Sequence, residues 1–228
     1  MTGRGSRGEQ WVLASSNPGK LREMRRLLAG QAGLEVDLVA QSTLGVAPCA
    51  EPFESFLENA LEKARHASRC AGLPALADDS GLVVDVLGGA PGVRSARFYA
   101  DAQRAGEALG ATPAVPGPSG DEQNWQWLLH RMRGVAEDDR TARFVAVLCF
   151  VRQPEDPMPI FGVGLWSGLI AARPAGQHGF GYDCVFFDRA AGQTAAEMSA
   201  EDKDARSHRG AAFVQFMDLY QRAYGYGR

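Results

Sequence analysis

The chain has 228 residues, 45% of them hydrophobic, with 24 Lys and Arg against 27 Asp and Glu for a formal net charge of −3. A chain of this length buries roughly 70% of its unfolded surface, so it needs no disulfide or structural metal to hold a core, and wholesale disorder is excluded. The near-neutral balance argues against binding nucleic acid through counterion release and leaves room for a local basic pocket around a small anion.

In chain order, Met1 to Gly8 carries Gly, Ser and Arg without an apolar stretch, and residues 1–10 are expected to form a flexible tail before a single domain over 11–228. Trp11 to Ser15 has the pattern of a short buried strand, broken at Asn17, Pro18 and Gly19. Leu21, Met24, Leu27 and Leu28 then recur at helical spacing. A second amphipathic helix follows Ser55, whose pairing with Glu58 is a capping box, and Gly72 and Pro74 end it. Leu76 and Ala77 run into Asp78, Asp79, Ser80 and Gly81, so two adjacent acids sit between strand-like segments. Gly106 to Gly120, with three prolines, reads as a flexible connection, after which Asp121 opens a helix with Trp125, Leu128, Leu129 and Met132 inward.

Thr141 to Arg152 and Pro159 to Ala172 are long β-type runs expected to form an antiparallel hairpin, followed by a loop over Pro174 to Gly181 and a short strand at Cys184 to Phe187. Phe213, Phe216, Met217 and Tyr220 mark a last amphipathic helix. The mixture predicts an α/β fold with a mixed, twisted sheet flanked by helices. The longest apolar run, Val145 to Val151, is too short to span a bilayer, so the expected location is the cytoplasm, with no membrane partner. Cys49, Cys70, Cys149 and Cys184 include no CxxC pair; the mainly apolar neighbours of Cys49, Cys149 and Cys184 point to buried, reduced thiols.

Four groups of residues could carry chemistry. Ser15, Ser16, Asn17, Pro18, Gly19 and Lys20 stand where a strand hands over to a helix, a place where helix N–H groups and an ammonium attract phosphate; an ordinary polar turn is the alternative. Adjacent carboxylates such as Asp78 and Asp79 repel unless something positive lies between them, and a hard divalent cation, Mg²⁺ above all, would relieve this and bridge to phosphates. Successive strand side chains face opposite ways, so one Asp would reach the ion while the other orients the backbone or a water; a solvated turn is the plain alternative. Glu51, Glu54, Glu58, Asn59 and Lys63 lie in or just before the second helix, with Asn59 and Lys63 on one face, either as solvated surface or as a second counter-charge beside a polyphosphate. Phe180, Gly181, Tyr182 and Asp183 combine a backbone that permits close approach with aromatic faces that stack on a base, and Lys203, Ser207, His208 and Arg209 gather donors suited to a carbonyl-bearing base edge. No HExxH or GxSxG motif is present.

Taken together in this order, LASSNPGK, SFLENALEKARHA, ALADDSGLVVDVLGGAPGVRSAR, GFGYDCVFF and TAAEMSAEDKDARSHRG resemble the inosine triphosphate pyrophosphatase family, the non-standard purine NTP pyrophosphatases, and most closely its bacterial branch acting on dITP and XTP. The resemblance runs from Trp11 to about Tyr220. It implies an elongated α/β fold of two lobes with a central nucleotide cleft, a homodimer, and Mg²⁺-dependent hydrolysis of a purine nucleoside triphosphate to the monophosphate and pyrophosphate. By the same resemblance, Ser15 to Lys20 hold the triphosphate and Lys63 adds charge. Glu51 and Asp79 surround the metal, with Asp79 as base or as the metal ligand that activates water, supported by Asp78. Ser80 contacts substrate, and Phe180 to Asp183, Lys203, His208 and Arg209 recognise the base. A nucleotide-binding sensor without turnover and a pyrophosphatase for modified pyrimidine nucleotides are the rival readings. The chain departs from the family pattern at Pro52 and Phe53, which follow Glu51 where a Thr and a Gly are common, and in the length of the segment around Gly106 to Gly120.

Overall fold

The computed structural model describes residues 9–107 and 120–225. The expected tail therefore falls largely outside the described residues, with Glu9 and Gln10 already in the first strand, as does most of the connection expected over Gly106 to Gly120. Seven described strands form one mixed sheet: β1 (Glu9–Leu13), β2 (Val36–Ala40), β3 (Ala75–Val84), β4 (Thr141–Val151), β5 (Ile160–Ile170), β6 (Phe186–Asp188) and β7 (Gln193–Thr194), in the order β2-β1-β3-β4-β5-β6-β7. The helices are α1 (Pro18–Ala29), α2 (Phe56–Ala71), α3 (Phe98–Arg104), α4 (Gly120–Arg131), α5 (Ala200–Arg206) and α6 (His208–Tyr224). Among the described residues no helix is long and apolar enough to cross a membrane. The α/β class expected from the sequence is the one observed.

By contact density the chain divides into two compact units. The first takes the residues up to Asp79, the stretch 146–164 and everything from Arg209 onward. Here β1 pairs in parallel with β2 and β3, which obliges a crossover each time; α1 and α2 supply them. Because strand side chains alternate, the continuous apolar run of β1 feeds two cores. Trp11 and Leu13 pack with Met24 and Leu28 of α1, Leu148 and Phe150 of β4, and Phe213 and Phe216 of α6. Val12 and Ala14 pack with Ala60, Ala64 and Ala67 of α2 and with Val147 and Cys149. Those alanines, spaced on one helical face, leave nothing to hold α2 off the sheet. On the opposite side α6 crosses β5 so closely that a Cβ on Gly162 would lie 2.1 Å from the Ala212 carbonyl oxygen.

The second unit holds residues 80–145 and 165–208, around Leu82, Leu128, Met132, Phe144, Trp166, Tyr182 and Phe186. Its strands β5, β6 and β7 run antiparallel in sequence, with Ile170 opposite Phe186 and Phe187 opposite Thr194. In α4 the inward set expected from the sequence is observed, with Leu128 and Met132 in the core and Trp125 and Leu129 half-buried against it; the helix begins at Gly120 and also buries Asn124 and Trp127. Asn124 is buried because its amide serves both backbone polarities, accepting from Tyr99 N–H and donating to Ala96 carbonyl.

Candidate active site

The arrangement of charge in the first unit follows from the alternation along β3. Leu76 joins the core built with α1 and α6, whereas Ala75 and Ala77 join the core built with α2. Two residues further on, the same parity sends Asp78 toward α1 and α6 and Asp79 toward α2. Accordingly, Asp78 Oδ2 accepts from Arg209 Nε of α6 at 2.9 Å and lies 3.1 Å from Lys20 Nζ of α1. Asp79 Oδ1 accepts from Lys63 Nζ of α2 at 3.0 Å. The adjacent acids thus relieve their repulsion by facing different helices.

The lysines meet again on the backbone. Lys20 Nζ and Lys63 Nζ both donate to the Asp78 carbonyl oxygen, at 3.2 and 2.9 Å, so one peptide oxygen collects two ammonium groups. Lys63 Nζ is also 3.1 Å from Glu51 Oε1. Glu51 owes its place to Asn59, one turn before Lys63 on α2, whose amide accepts from Phe53 N–H at 3.1 Å and donates to Phe53 carbonyl at 3.0 Å. Ser55 caps that helix through the Glu58 N–H, and Gly72 closes it at φ 66°. The expected surface alternative for Asn59 and Lys63 is not what forms, since both are buried.

Three cations, Lys20, Lys63 and Arg209, face four carboxylates, Glu23, Glu51, Asp78 and Asp79. Burial pushes the Asp78 carboxyl up, but Lys20 and Arg209 overcome it and hold the group well below the usual carboxylate range. Burial likewise raises Asp79; Lys63, which is shared with Glu51, and Lys20 oppose this without overcoming it, so its shift stays upward. For Lys63 burial opposes the charge, yet Asp79 and Glu51 outweigh it and the ammonium is held above its ordinary value. Lys20 goes the other way: burial lowers it, and Asp78 offsets this only in part against the neighbouring Lys63 and Arg209.

In the turn from Ser15 to Lys20 several backbone donors already have partners. Asn17 is the N-cap of α1, and its Oδ1 accepts from the N–H groups of Gly19 at 2.7 Å and Lys20 at 3.3 Å, while Pro18 has no N–H. The helix-end donors are therefore already engaged. Ser15 Oγ accepts from Asn17 N–H, and Ser16 Oγ accepts from Gln41 Nε2. What this turn can offer a phosphate is its two hydroxyl protons and the Lys20 ammonium.

In the second unit the loop Gly179 to Asp183 closes on itself. Asp183 Oδ2 accepts from Phe180 N–H at 2.8 Å and from Lys203 Nζ at 2.6 Å, and the ammonium lies 5.1 Å from the Phe180 ring centre. A Cβ on Gly179, whose φ is 78°, would fall 2.0 Å from that same Asp183 oxygen. Gly181 also has positive φ, 63°, and donates its N–H to Asp121. Phe180 is half-buried, leaving part of its ring available for stacking.

Several sequence expectations need correction here. Tyr182 is a core side chain, 5% exposed, whose hydroxyl donates to the Ser95 carbonyl, rather than a residue of an open loop. His208 is 2% exposed and stacks on Phe144 at 4.7 Å. His208 and Arg209 both lie in the first turn of α6. Arg209 commits Nε to Asp78 and Nη1 to Glu23 Oε2 at 2.9 Å, contacts within the first unit, whereas Lys203, Asp183 and Phe180 belong to the second. Ser80 follows Asp79 in β3 as a half-buried residue of the second unit. Of the cysteines only Cys149 is buried; Cys49 and Cys184 are half-buried and Cys70 is exposed, all as free thiols.

Glu23 escaped the sequence reading. It looks like a solvated helix acid, and its partner lies 186 residues away; the available hint was its place between Lys20 and the apolar Leu27 on one helical face.

A sequence model of the Ham1 family matches residues 11–219. A protein of Salmonella paratyphi A named dITP/XTP pyrophosphatase is 49% identical over 207 residues, covering 91% of this chain and 95% of its own. Proteins of the same name from Photorhabdus laumondii and Escherichia coli K12 are each 47% identical, over 93% and 91% of this chain and 98% and 95% of their own. Among solved structures, a HAM1 protein from Coxiella burnetii superposes with a TM-score of 0.76 at 38% identity, covering 94% of this chain and 99% of that one. The Staphylococcus aureus Ham1 protein gives 0.71 at 29% identity, over 95% and 98%. The chain belongs to the Ham1 family.

Proposed function

We propose that this protein hydrolyses non-standard purine nucleoside triphosphates, ITP, dITP and XTP, to the nucleoside monophosphate and pyrophosphate, clearing them from the nucleotide pool of the cytoplasm as a homodimer. The carrying observation is the run of relatives named dITP/XTP pyrophosphatase at 47% identity or more across nine-tenths of both chains. The convergence of Lys20 and Lys63 beside Asp78, Asp79 and Glu51 supports it from the side of the chemistry.

The residues present fit a Mg²⁺ ion. Asp79 Oδ2 is buried without a hydrogen-bond partner, a costly state that a cation would relieve, and Glu51 reaches the same ammonium as Asp79. Among the described residues no cluster of three or more His, Cys, Asp or Glu could hold a metal. Mg²⁺ is commonly held by one or two carboxylates, with substrate phosphates and water completing its shell. Asp79 and Glu51 would hold it, and when bound it would neutralise phosphate charge and acidify a water.

In the reaction, the oxygen of a water bonds to the α-phosphorus as the bond to the α–β bridging oxygen breaks, and pyrophosphate leaves. Asp79, its basicity raised by burial, accepts the water proton or orients that water. Lys20 and Lys63 compensate charge on the polyphosphate, so the protein acts by positioning and electrostatics. On the base side, Phe180 stacks and Lys203, held by Asp183, offers a donor to a 6-oxo edge; an adenine amino group there would leave that donor unpaired at a cost of ~1–3 kcal/mol.

The test incubates the protein and Mg²⁺ with ITP, XTP, dITP, ATP and GTP and measures pyrophosphate against orthophosphate. Pyrophosphate released preferentially from the first three is expected. Orthophosphate as primary product, equal use of ATP, or binding without turnover would each reject the reading.

A further inference from the structure

Beyond the residues expected to meet substrate, the first unit contains a chain of alternating charge that begins away from it. Glu23 Oε2 accepts from Arg209 Nη1 at 2.9 Å; Arg209 Nε donates to Asp78 Oδ2 at 2.9 Å; that same oxygen lies 3.1 Å from Lys20 Nζ. Glu23, Arg209 and Asp78 are 7%, 5% and 0% exposed, so their charges are not screened by water. The series ends at Lys20, the most exposed of the four, with 15% of its side chain accessible.

The geometry makes Arg209 and Lys20 sharers of a single carboxylate oxygen. How strongly that oxygen holds Lys20 depends on how much of the guanidinium charge is met elsewhere. Arg209 is moreover the second residue of the 17-residue helix α6, where a cation stands against the helix dipole and needs additional negative charge. Glu23 supplies it from α1. It lies three residues after Lys20, on the same face of the helix, so α1 carries both ends of the series.

We propose that Glu23 is a positioning residue for the phosphate-binding lysine: by taking one edge of the Arg209 guanidinium it leaves Asp78 Oδ2 able to hold the Lys20 ammonium where the polyphosphate meets it. This rests on the function proposed above and adds a residue that would not touch substrate. It follows that Glu23 governs affinity for the polyphosphate tail whatever base is attached. The full chain, Glu23→Gln and Glu23→Asp are to be compared in steady-state kinetics on ITP and XTP, with inorganic tripolyphosphate binding measured by calorimetry and folding checked by circular dichroism. Glu23→Gln, nearly equal in volume, is expected to raise KM for both substrates by about tenfold, the effect of losing one charged hydrogen bond, with kcat within about threefold of the parent. Tripolyphosphate affinity should fall in parallel, and Glu23→Asp, which keeps the charge, should recover most of the loss. An unchanged KM, a loss confined to kcat, a shifted ITP to XTP ratio, or no recovery in Glu23→Asp would each overturn the assignment. If the parent chain cleaves no nucleoside triphosphate, the functional reading fails, while the tripolyphosphate comparison still decides the role of Glu23. Should Glu23→Gln not fold, the affinity of Glu23→Asp relative to the parent carries the decision: affinity within about twofold upholds the role and a tenfold loss rejects it.

Discussion

The charged cluster of the first unit and the Lys203–Asp183 pair of the second solve the same problem, a buried ammonium, in different ways. The first draws Lys20, Lys63, Asp78 and Arg209 from three helices and a strand and shares oxygens among them, with Asp78 carbonyl taking two lysines and Asp78 Oδ2 taking a lysine and an arginine. The second sets an ammonium 2.6 Å from a carboxylate oxygen, with the acid also accepting from a backbone N–H of its own loop and room made by a glycine. A shared network is unforgiving because the loss of Asp78 takes an anion from both Lys20 and Arg209, and the loss of Lys63 takes a cation from both Glu51 and Asp79. A loop pair can be retuned locally, which suits a region that chooses between bases.

Removal of the acid without a cationic double claim tests this most strongly. Asp79→Asn is expected to lower kcat by about 10²–10⁴-fold, the span of a lost general base, while leaving the melting temperature unchanged or higher, because the carboxylate is held at a burial cost. Steady-state turnover with a thermal melt reads both; retained turnover would remove Asp79 from the chemistry.

Asp78→Asn should instead cost stability, about 3–5 kcal/mol in urea unfolding, since Lys20 and Arg209 would lose their shared anion. The pH dependence has a definite sign. A carboxyl depressed in the folded state contributes stability that is complete above its unfolded pKa near 4 and is lost as pH falls below that toward the folded value. The parent should therefore lose stability on acidification below about pH 4 more steeply than Asp78→Asn. Parallel curves for the two would show that Asp78 is not the group held low.

In the second unit, Gly179→Ala places a methyl carbon where Asp183 Oδ2 lies and adds strain at positive φ. Displacing Asp183 should release Lys203 and shift the ITP to ATP preference by about tenfold, the worth of one donor, with pyrophosphate inhibition unchanged. A changed inhibition constant with an unchanged base ratio would reverse the division of labour drawn here. The smallest effect concerns thiols, which bear on rigidity rather than chemistry. At pH 8, exposed Cys70 should alkylate first, whereas Cys149, pushed up to about 12 by burial in the α2 core, should react only on unfolding. Mass spectrometry of the labelled chain gives the order.

The sequence made the strands and helices of the first unit legible because its signals are clean: the apolar run Trp11 to Ala14 at β1, the Ser55 capping box, the glycine stop at Gly72. The separation of Asp78 from Asp79 was likewise readable, from strand alternation alone. What alternation cannot supply is the partner. His208 and Arg209 are neighbours in sequence, yet at the start of α6 they face different surroundings, one against Phe144 and the other against Asp78. Tyr182 is a related case: flanking glycines suggest an open loop, whereas its hydroxyl finds Ser95 carbonyl and so tolerates burial. Asn17 showed the competition between a side chain and a ligand for the same N–H groups, which residue type alone does not decide.

The close seat of α6 over Gly162 has a bearing on synthesis. The first unit is stitched from three separated stretches, and the last of them brings Phe213 and Phe216 to cover Trp11 and the arginine that neutralises Glu23 and Asp78. Until that stretch leaves the ribosome, the nascent polypeptide carries an uncovered aromatic surface and two carboxylates without their guanidinium. At elongation rates of ~5–20 residues per second, the roughly 200 residues made before it take on the order of ten to forty seconds, a period in which chaperones rather than native contacts must shield the unfinished half.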